Sequence, residues 1–224
     1  MNKLDIKTSE LYELDIPFLK ELFNDATYPW EILPRIKEFI KNTLSSGLPG
    51  FKLYKDNILL GENVAIATTA TIIGPAIICD NVTIRPGAFI RENVIVGPES
   101  VVGNSSELKN CILLRHVQAP HYNYVGDSIL GNYSHLGAGS ICSNLKSDGK
   151  NVVIHAEEDH ETTLRKVGSF VADHADVGSG CVLNPGTIIG KNTRVYPLVL
   201  TRGVYPKNCI IKGTYLLDSI KENK

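Results

Sequence analysis

The sequence repeats with a period of six residues. Stepping by six, ten successive positions hold only Leu, Ile or Val: Leu60, Ile66, Ile72, Ile78, Ile84, Ile90, Val96, Val102, Leu108 and Leu114. A period of six fits neither a helix of 3.6 residues per turn nor an alternating strand. It fits a solenoid in which each unit supplies one short strand and one turn. We therefore predict that the aliphatic residues point inward and that the mostly small residues four positions later occupy tight corners.

The phase of the repeat changes twice. The second register is Tyr124, Leu130, Leu136, Cys142, and the third is Val171, Val177, Leu183, Ile189, Val195, Thr201. The first change amounts to four extra residues, and the second interrupts the repeat between Cys142 and Val171. We therefore predict inserted loops near 117–123 and 143–170. With three units per coil, these registers predict about six coils, a prism about 30 Å long at the spacing of paired strands. An ordinary β-sandwich is the alternative fold.

The first 50 residues do not repeat. Apolar residues recur there at three-to-four spacing, which indicates amphipathic helices. We predict that 1–50 form a helical cap on the first coil, that 51–206 form the β-helix and that 207–224 are a C-terminal tail. Trp30 and Phe39 are predicted core anchors.

Charge and cysteine usage limit the function classes. The net charge of −1 gives no electrostatic reason to expect a nucleic acid or a membrane surface as partner. The polar, acidic start does not resemble a signal peptide, and no apolar run approaches a membrane span, so we expect a cytoplasmic protein. The five cysteines are isolated, which favours small apolar thiols over disulfides or a metal site.

Polar motifs cluster where the repeat breaks. In chain order they are RPGA (85–88), ELK (107–109), PHYNYVGD (120–127), HLGAG (135–139) and SNLKSDG (143–149). Together they resemble the acetyltransferase half of the bifunctional N-acetylglucosamine-1-phosphate uridyltransferase/glucosamine-1-phosphate acetyltransferase, a left-handed β-helix hexapeptide-repeat acyltransferase. LRKVGSF (164–170) resembles its archaeal relatives. The resemblance implies a mainly β, left-handed parallel β-helix with a short N-terminal α-helical extension, and a homotrimer whose sites lie between neighbouring prisms.

The resemblance also implies a reaction. An acetyl group would pass from acetyl-CoA to the amine of an amino-sugar phosphate or a nucleotide amino sugar, without a metal. His121 matches the general base, and an imidazole titrating near neutrality suits that task. A solvated loop histidine is the alternative.

The remaining matches divide between substrate and cofactor. The implied substrate contacts are Arg85, Lys109, Tyr124, His135, Asn144 and Lys166. Lys166 is preferred over Lys146 and Lys150, and Tyr124 is alternatively a partial interior residue because it starts a register. The implied acetyl-CoA contacts are Ala138, Ser179 and Pro197, with the Ala138 N–H as an oxyanion donor.

Three departures from the family pattern leave alternatives open. His135 stands where the related enzymes have Asn. The loop that follows is longer than in those enzymes and carries His155 and His160. Histidines at this spacing in a polar loop are more often solvated than bound to a metal. Residues 1–50 are too short for the nucleotide-binding pyrophosphorylase domain. A non-catalytic sugar-phosphate-binding or assembly module is the alternative function, and transfer of a longer acyl chain is a third.

Overall fold

The computed structural model describes residues 4–55 and 57–213. The helices are α1 Thr8–Leu11, α2 Leu19–Phe23 and α3 Ile36–Ser46, with 3-10 turns at Pro29–Glu31 and Leu33–Arg35. The strands are β1 Lys52–Tyr54, β2 Ile58–Leu60, β3 Ala65–Ile66, β4 Thr71–Ile72, β5 Ala76–Ile78, β6 Thr83–Ile84, β7 Phe89–Ile90, β8 Val94–Val96, β9 Val101–Asn104, β10 Glu107–Lys109, β11 Cys111–Leu113, β12 Gln118–His121, β13 Tyr124–Gly126, β14 Ile129–Leu130, β15 His135–Leu136, β16 Ile141–Cys142, β17 Val153–His155, β18 Asp159–Glu161, β19 Ser169–Val171, β20 Asp176–Val177, β21 Val182–Leu183, β22 Thr187–Ile189, β23 Arg194–Val195, β24 Leu200–Thr201, β25 Val204–Tyr205 and β26 Ile210–Ile211.

Most strands stack into three parallel sheets, each strand pairing with the strand one coil further on. Sheet A has the order β1-β2-β5-β8-β11-β14-β19-β22-β25, sheet B β3-β6-β9-β12-β15-β20-β23-β26 and sheet C β4-β7-β10-β13-β16-β21-β24. The predicted parallel β-helix with a short helical extension is therefore confirmed. Eight parallel strands in sheet A and eight in sheet B make nearly eight coils rather than six. The sequence count left out β12, β25 and β26.

Aliphatic side chains fill the inside of the coils. Ile78, Ile84 and Ile90 follow one another at six-residue steps and are almost completely buried. Burying such a side chain stabilises the fold by about 1.5–3 kcal/mol. The corners between sheets A and B repeatedly use the left-handed backbone region, at Asn63, Asn81, Glu99, His116, Tyr133, His174, Asn192 and Asn208. The repeat thus alternates a buried aliphatic residue with a sharp corner.

The predicted register is wrong after Leu108. Leu108 pairs with Val125, and Leu113 pairs with Leu130, so each of these coils is one residue shorter than the 18 of an ideal coil. Val125 therefore points inward, and Tyr124 lies on the outer surface. The shortened corners contain Asn110 and Asp127, both with φ near +47°. The two corners together lack two residues relative to an ideal repeat, whereas the sequence predicted four extra residues in this stretch.

Residues 117–123 consequently do not form a projecting loop. Gln118–His121 is strand β12, which pairs with β9 and β15 in sheet B. The second break does leave the coil, because Cys142 in β16 pairs with Leu183 in β21. Residues 143–168 lie outside the sheets and contain the antiparallel β17–β18 hairpin. We call 143–168 the inserted segment.

The N-terminal helices pack along the side of the solenoid, not over its first coil. Leu11, Trp30 and Ile36 belong to a buried cluster with outward-facing residues of sheet A from several coils, including Ile77 and Ile188. An apolar outer face of a sheet needs such a cover, because exposing it to water is unfavourable. Trp30 is buried as predicted, and Phe39 is partly buried and stacked on Phe18.

Three further predictions concern the cysteines, membrane-spanning helices and the C-terminal tail. All five cysteines are free thiols, and four of them are buried, as expected for small apolar residues. Within residues 4–55 and 57–213, no helix has the length and apolar character that crossing a membrane requires. Part of the predicted tail, 207–213, contains β26, and 214–224 lies outside the described residues.

Candidate active site

Four predicted site residues form one column at the corner between sheets B and C. The Gly139 N–H donates to the His121 carbonyl, the Gly180 N–H to the Ala138 carbonyl and the Leu198 N–H to the Ser179 carbonyl. Pro197 precedes Leu198 and continues the column. Adjacent coils are about 4.8 Å apart. The fold therefore stacks the predicted base, His121, directly before the three predicted acetyl-CoA contacts.

His121 ends β12 and is exposed. Its ring has no hydrogen-bond or ion-pair partner among the described residues. Its backbone is fixed from inside, because the His121 N–H donates to Asn123 Oδ1 over 3.1 Å. Asn123 is 2 % exposed and donates from Nδ2 to the Gly137 carbonyl over 2.8 Å. A rigid corner thus presents a free imidazole to solvent.

Sequence reasoning missed Asn123. In the corrected register it occupies the small corner position between Ser106 and Ser140, both of which are buried. The Asn123 N–H donates to Ser106 Oγ over 3.2 Å. A polar residue in a column of buried serines was the available signal, and the mistaken register concealed it.

The next coil in this column presents a free backbone donor. Ala138 is exposed, and its N–H donates to no acceptor within the part of the chain that the structure describes. Close stacking of the coils depends on neighbouring glycines. A Cβ at Gly137 would lie 2.4 Å from the Ser179 backbone nitrogen. The glycines of the HLGAG motif therefore allow the backbone approach that brings Ala138 beside His121.

Tyr124 starts β13 and lies outward on sheet C, where it is partly buried. Its hydroxyl accepts a hydrogen bond from Asn144 Nδ2 at 3.2 Å. Burial raises the pKa of the Tyr124 hydroxyl, and the bond from Asn144 opposes this. The open question from the sequence is thus answered: Tyr124 faces outward and Val125 fills the interior.

Asp127 organises the corner between sheets C and A. It is 4 % exposed and accepts hydrogen bonds from three side chains. Lys109 Nζ lies 3.2 Å from Oδ1, Asn110 Nδ2 lies 2.8 Å from Oδ1, and Asn144 Nδ2 donates to Oδ2. Two predicted substrate contacts, Lys109 and Asn144, are therefore held by a carboxylate that sequence reasoning did not single out. The charge of Lys109 is largely compensated by Asp127.

Lys166 and Arg85 differ from Lys109 in having uncompensated charge. Lys166 pairs with Leu145 in an isolated bridge, next to Asn144, and is exposed. Arg85 lies at the corner between sheets B and C, two coils before His121, with its N–H on the Val102 carbonyl. Neither side chain has a hydrogen-bond or ion-pair partner among the described residues. Both cations are therefore available to an anionic ligand.

His135 lies apart from these residues. It starts β15 on sheet B, and its Nδ1 is 2.8 Å from Oδ1 of Asp176. Tyr124 and Asn144 lie at sheet C and its far corner. Within one chain, the structure therefore does not bring His135 to the face that carries the other predicted substrate contacts.

The inserted segment encloses a cleft that sequence reasoning missed. The cleft has a volume of about 560 Å³ and lies beside the corner between sheets C and A. Its polar lining includes Lys146, Asp148, His155, Asn184 and Arg202. Among the described residues, no group of three or more His, Cys, Asp or Glu side chains is arranged to hold a metal ion.

The three parallel sheets, with one short strand for each six-residue unit, make the chain a hexapeptide-repeat protein. The family described as "GMPPB C-terminal domain" matches residues 72–159. A hexapeptide transferase family protein from Anaplasma phagocytophilum aligns at 18 % identity and a TM-score of 0.39, covering 66 % of this chain and 82 % of that chain.

The relatives with similar sequences match a larger share of this chain. The chain is homologous to the bifunctional protein GlmU of Methanococcus vannielii, with 32 % identity over 191 residues, 84 % of this chain and 45 % of the relative. A bifunctional sugar-1-phosphate nucleotidylyltransferase/acetyltransferase of Sulfurisphaera tokodaii is 29 % identical over 179 residues, 77 % of this chain and 44 % of the relative. The chain thus spans about half the length of these relatives.

Proposed function

We propose that this chain is an acyltransferase that moves an acetyl group from acetyl-CoA to the amine of an amino-sugar phosphate or a nucleotide amino sugar. The observation that carries the proposal is the column at the corner between sheets B and C. There an exposed imidazole (His121), without a partner in the described part of the chain, is followed one coil later by an exposed backbone donor (Ala138). The named acetyltransferase activity of the Sulfurisphaera relative supports the same chemistry.

The proposed acceptor lies across sheet C. The strands of sheet C are two or three residues long, so the two corners that border this sheet are about 10 Å apart. That width suits a hexose whose amine points toward His121 and whose other end points toward Tyr124 and Asn144. Lys166, at the same end as Tyr124 and Asn144, supplies positive charge for a phosphate, since Lys109 is already paired with Asp127. Arg85 lies at the His121 corner, two coils earlier, and stays a predicted contact to the acceptor.

The chain's own residues account for the proton and charge movements. His121 takes the proton that the amine loses as its nitrogen attacks the thioester carbonyl. The Ala138 N–H donates to the oxygen that becomes negative in the tetrahedral intermediate. When the carbon–sulfur bond breaks, the coenzyme thiolate leaves and takes the proton that His121 holds, while the nitrogen keeps the acetyl group. Ser179 and Pro197 are placed to line the coenzyme further along the column.

A homotrimer is part of the proposal. The later coils expose apolar side chains on and beside sheet C, among them Leu198, Leu200 and Ile141. A neighbouring prism that covers this face would bury them and would close the site from the side. Light scattering at several protein concentrations tests this, and a monomer at every concentration contradicts it.

The test of the activity measures free CoA after the protein is mixed with acetyl-CoA and glucosamine 1-phosphate. Replacing His121 by Ala is expected to slow turnover by about 10²–10⁴-fold, the usual worth of a general base. His116→Ala is the matched control, because His116 is an exposed histidine at the corner between sheets A and B. An unchanged rate in the His121 variant excludes this residue as the base.

The second candidate is a sugar-phosphate-binding or assembly module without turnover. It is favoured by the His121 ring, which no side chain among the described residues orients. A sugar phosphate that raises the melting temperature, together with acetyl-CoA that does not, supports this candidate. Protection by both ligands favours the enzyme.

A further inference from the structure

The inserted segment builds a cleft that the reaction above does not use. The cleft combines residues of two consecutive coils, Asn184, Pro185 and Arg202, with residues of the inserted segment, among them Leu145, Lys146 and His155. Its volume of about 560 Å³ lies within the range of small-molecule sites. A hairpin that only covered the solenoid would pack flat and leave no such space.

Cations and an imidazole line this cleft. Arg202 Nη2 lies 3.1 Å from His155 Nε2, and His155 Nδ1 lies 2.8 Å from Oδ1 of Asp159. An arginine can only donate, so Nε2 accepts, and Nδ1 carries the proton toward Asp159. The imidazole ring of His155 is thus held between Arg202 and Asp159. The remaining N–H groups of Arg202 have no side-chain acceptor among the described residues.

Lys146 supplies the second cation in the lining. Its ammonium lies 3.4 Å from Asp148 Oδ2 and donates to the Asn151 carbonyl over 3.3 Å. Asp148 is 47 % exposed, so this pair is solvated and weak. The inserted segment carries two further exposed cations, Arg165 and Lys166, which lack side-chain partners in the described ranges. Cations therefore outnumber the single carboxylate of the lining.

The cleft adjoins the proposed acceptor site. Asn144, which contacts Tyr124 and Asp127, lies between two lining residues, Ser143 and Leu145. Leu145 is bridged to Lys166. An acceptor placed on sheet C thus has its phosphate end directed toward the cleft. The predicted coenzyme column, by contrast, lies at the opposite corner of sheet C.

We propose that this cleft binds the nucleoside diphosphate part of a nucleotide-linked amino sugar. The inference rests on the proposed function and selects between its two acceptor classes. Arg202, Lys146 and Lys166 would contact the two phosphates, since charge-assisted bonds from Arg and Lys are the strong contacts for such groups. Leu145, exposed at 41 %, and Pro185 offer apolar surface for a base. A bare sugar monophosphate would leave most of the cleft empty.

The test measures binding without catalysis. Calorimetry with UDP, ADP, GDP and dTDP is performed on the full chain, beside orthophosphate and desulfo-CoA. At least one nucleoside diphosphate is expected to bind. Arg202→Ala and Lys146→Ala are each expected to weaken it by about 10- to 100-fold, the usual worth of a hydrogen bond to a charged group. Lys37→Ala is the matched control, because Lys37 is an exposed cation on α3.

The outcomes separate this inference from the function it rests on. No binding of any nucleoside diphosphate, equal binding by orthophosphate, or unchanged affinity in the Lys146 variant overturns it. Displacement of the nucleotide by desulfo-CoA assigns the cleft to the coenzyme and also overturns it. Acetylation of glucosamine 1-phosphate without nucleotide binding leaves the proposed function standing and removes only the inference. Because Lys146 lies on an exposed loop, its variant reports on binding even if the Arg202 variant fails to fold.

Discussion

Replacing Asp127 tests whether the corner between sheets C and A is held together by one buried carboxylate. Its side chain is 5 % exposed, and that of Lys109 is 17 % exposed. Asp127→Ala leaves three donors without their acceptor: Lys109 Nζ, Asn110 Nδ2 and Asn144 Nδ2. Of these, only the lysine carries a charge, and its side chain is mostly buried.

The expected loss follows from this environment. Removing one partner of a buried ion pair costs about 3–5 kcal/mol, whereas each amide donor that reaches water costs less than the 1–3 kcal/mol of a fully buried one. Lys109 is partly exposed, so we take the lower end. We expect Asp127→Ala to lower the free energy of unfolding by about 3 kcal/mol. Asp176→Ala, which removes an exposed partner of His135, is expected to cost under about 1 kcal/mol.

Urea titration at fixed protomer concentration measures both variants. A double-mutant cycle with Lys109→Met isolates the pair, and we expect the double variant to be at least about 1.5 kcal/mol more stable than the sum of the single losses predicts. A loss under about 1 kcal/mol for Asp127→Ala refutes the reasoning. So does additivity of the two substitutions, because it would mean that the lysine and the carboxylate do not stabilise each other.

Three further predictions concern burial and pH. In the folded protein, a thiol reagent at pH 8 should modify Cys209 first, since burial raises the pKa of Cys142 to about 12; rapid modification of all five thiols contradicts this. Tyr12→Phe should cost about 1 kcal/mol in urea titration, because its buried hydroxyl donates to the Ile129 carbonyl over 3.2 Å, and no change means that the bond contributes nothing. Burial is the largest cause that raises the pKa of Asp173, so the folded state keeps the carboxyl proton of Asp173 to higher pH than the unfolded state does. The free energy of unfolding, relative to Asp173→Asn, should therefore rise as pH falls from 7 toward 4, and a fall would contradict the assigned cause.

The repeat predicted the fold because one physical rule governs most of the chain. From Leu60 to Leu108, each six-residue step brings one aliphatic residue inside, and the pairing of strands follows it. The rule becomes ambiguous in Cys111–Leu114, an uninterrupted apolar run in which Leu113 faces the interior and Leu114 faces the helices. Both faces of sheet A are buried there, so hydrophobicity alone does not identify the inward residue.

The position of the helices was available in the sequence but was not used. Between the inward aliphatic residues, sheet A repeatedly carries a second one, as at Ile77, Ile95 and Ile112, and all three are buried against the helices. A surface strand would place polar residues there. The outward apolar column therefore indicates a covered side, whereas nothing in the sequence points to a cover over the first coil.

The motifs located the candidate site even though the register was wrong, and the two shortened corners explain why. Asn110 and Asp127 adopt the left-handed conformation and remove one residue from each of two coils. That contraction turns the Asp127 side chain against Lys109 and Asn144, and it puts Tyr124 on the surface. An insertion would have projected His121 into solvent on a loop. The contraction instead leaves His121 at the end of a paired strand, where the buried Asn123 fixes its backbone. The site is therefore defined by polar side chains that the corners hold in place, and those corners are what substitutions at Asp127 and Asn123 would disturb.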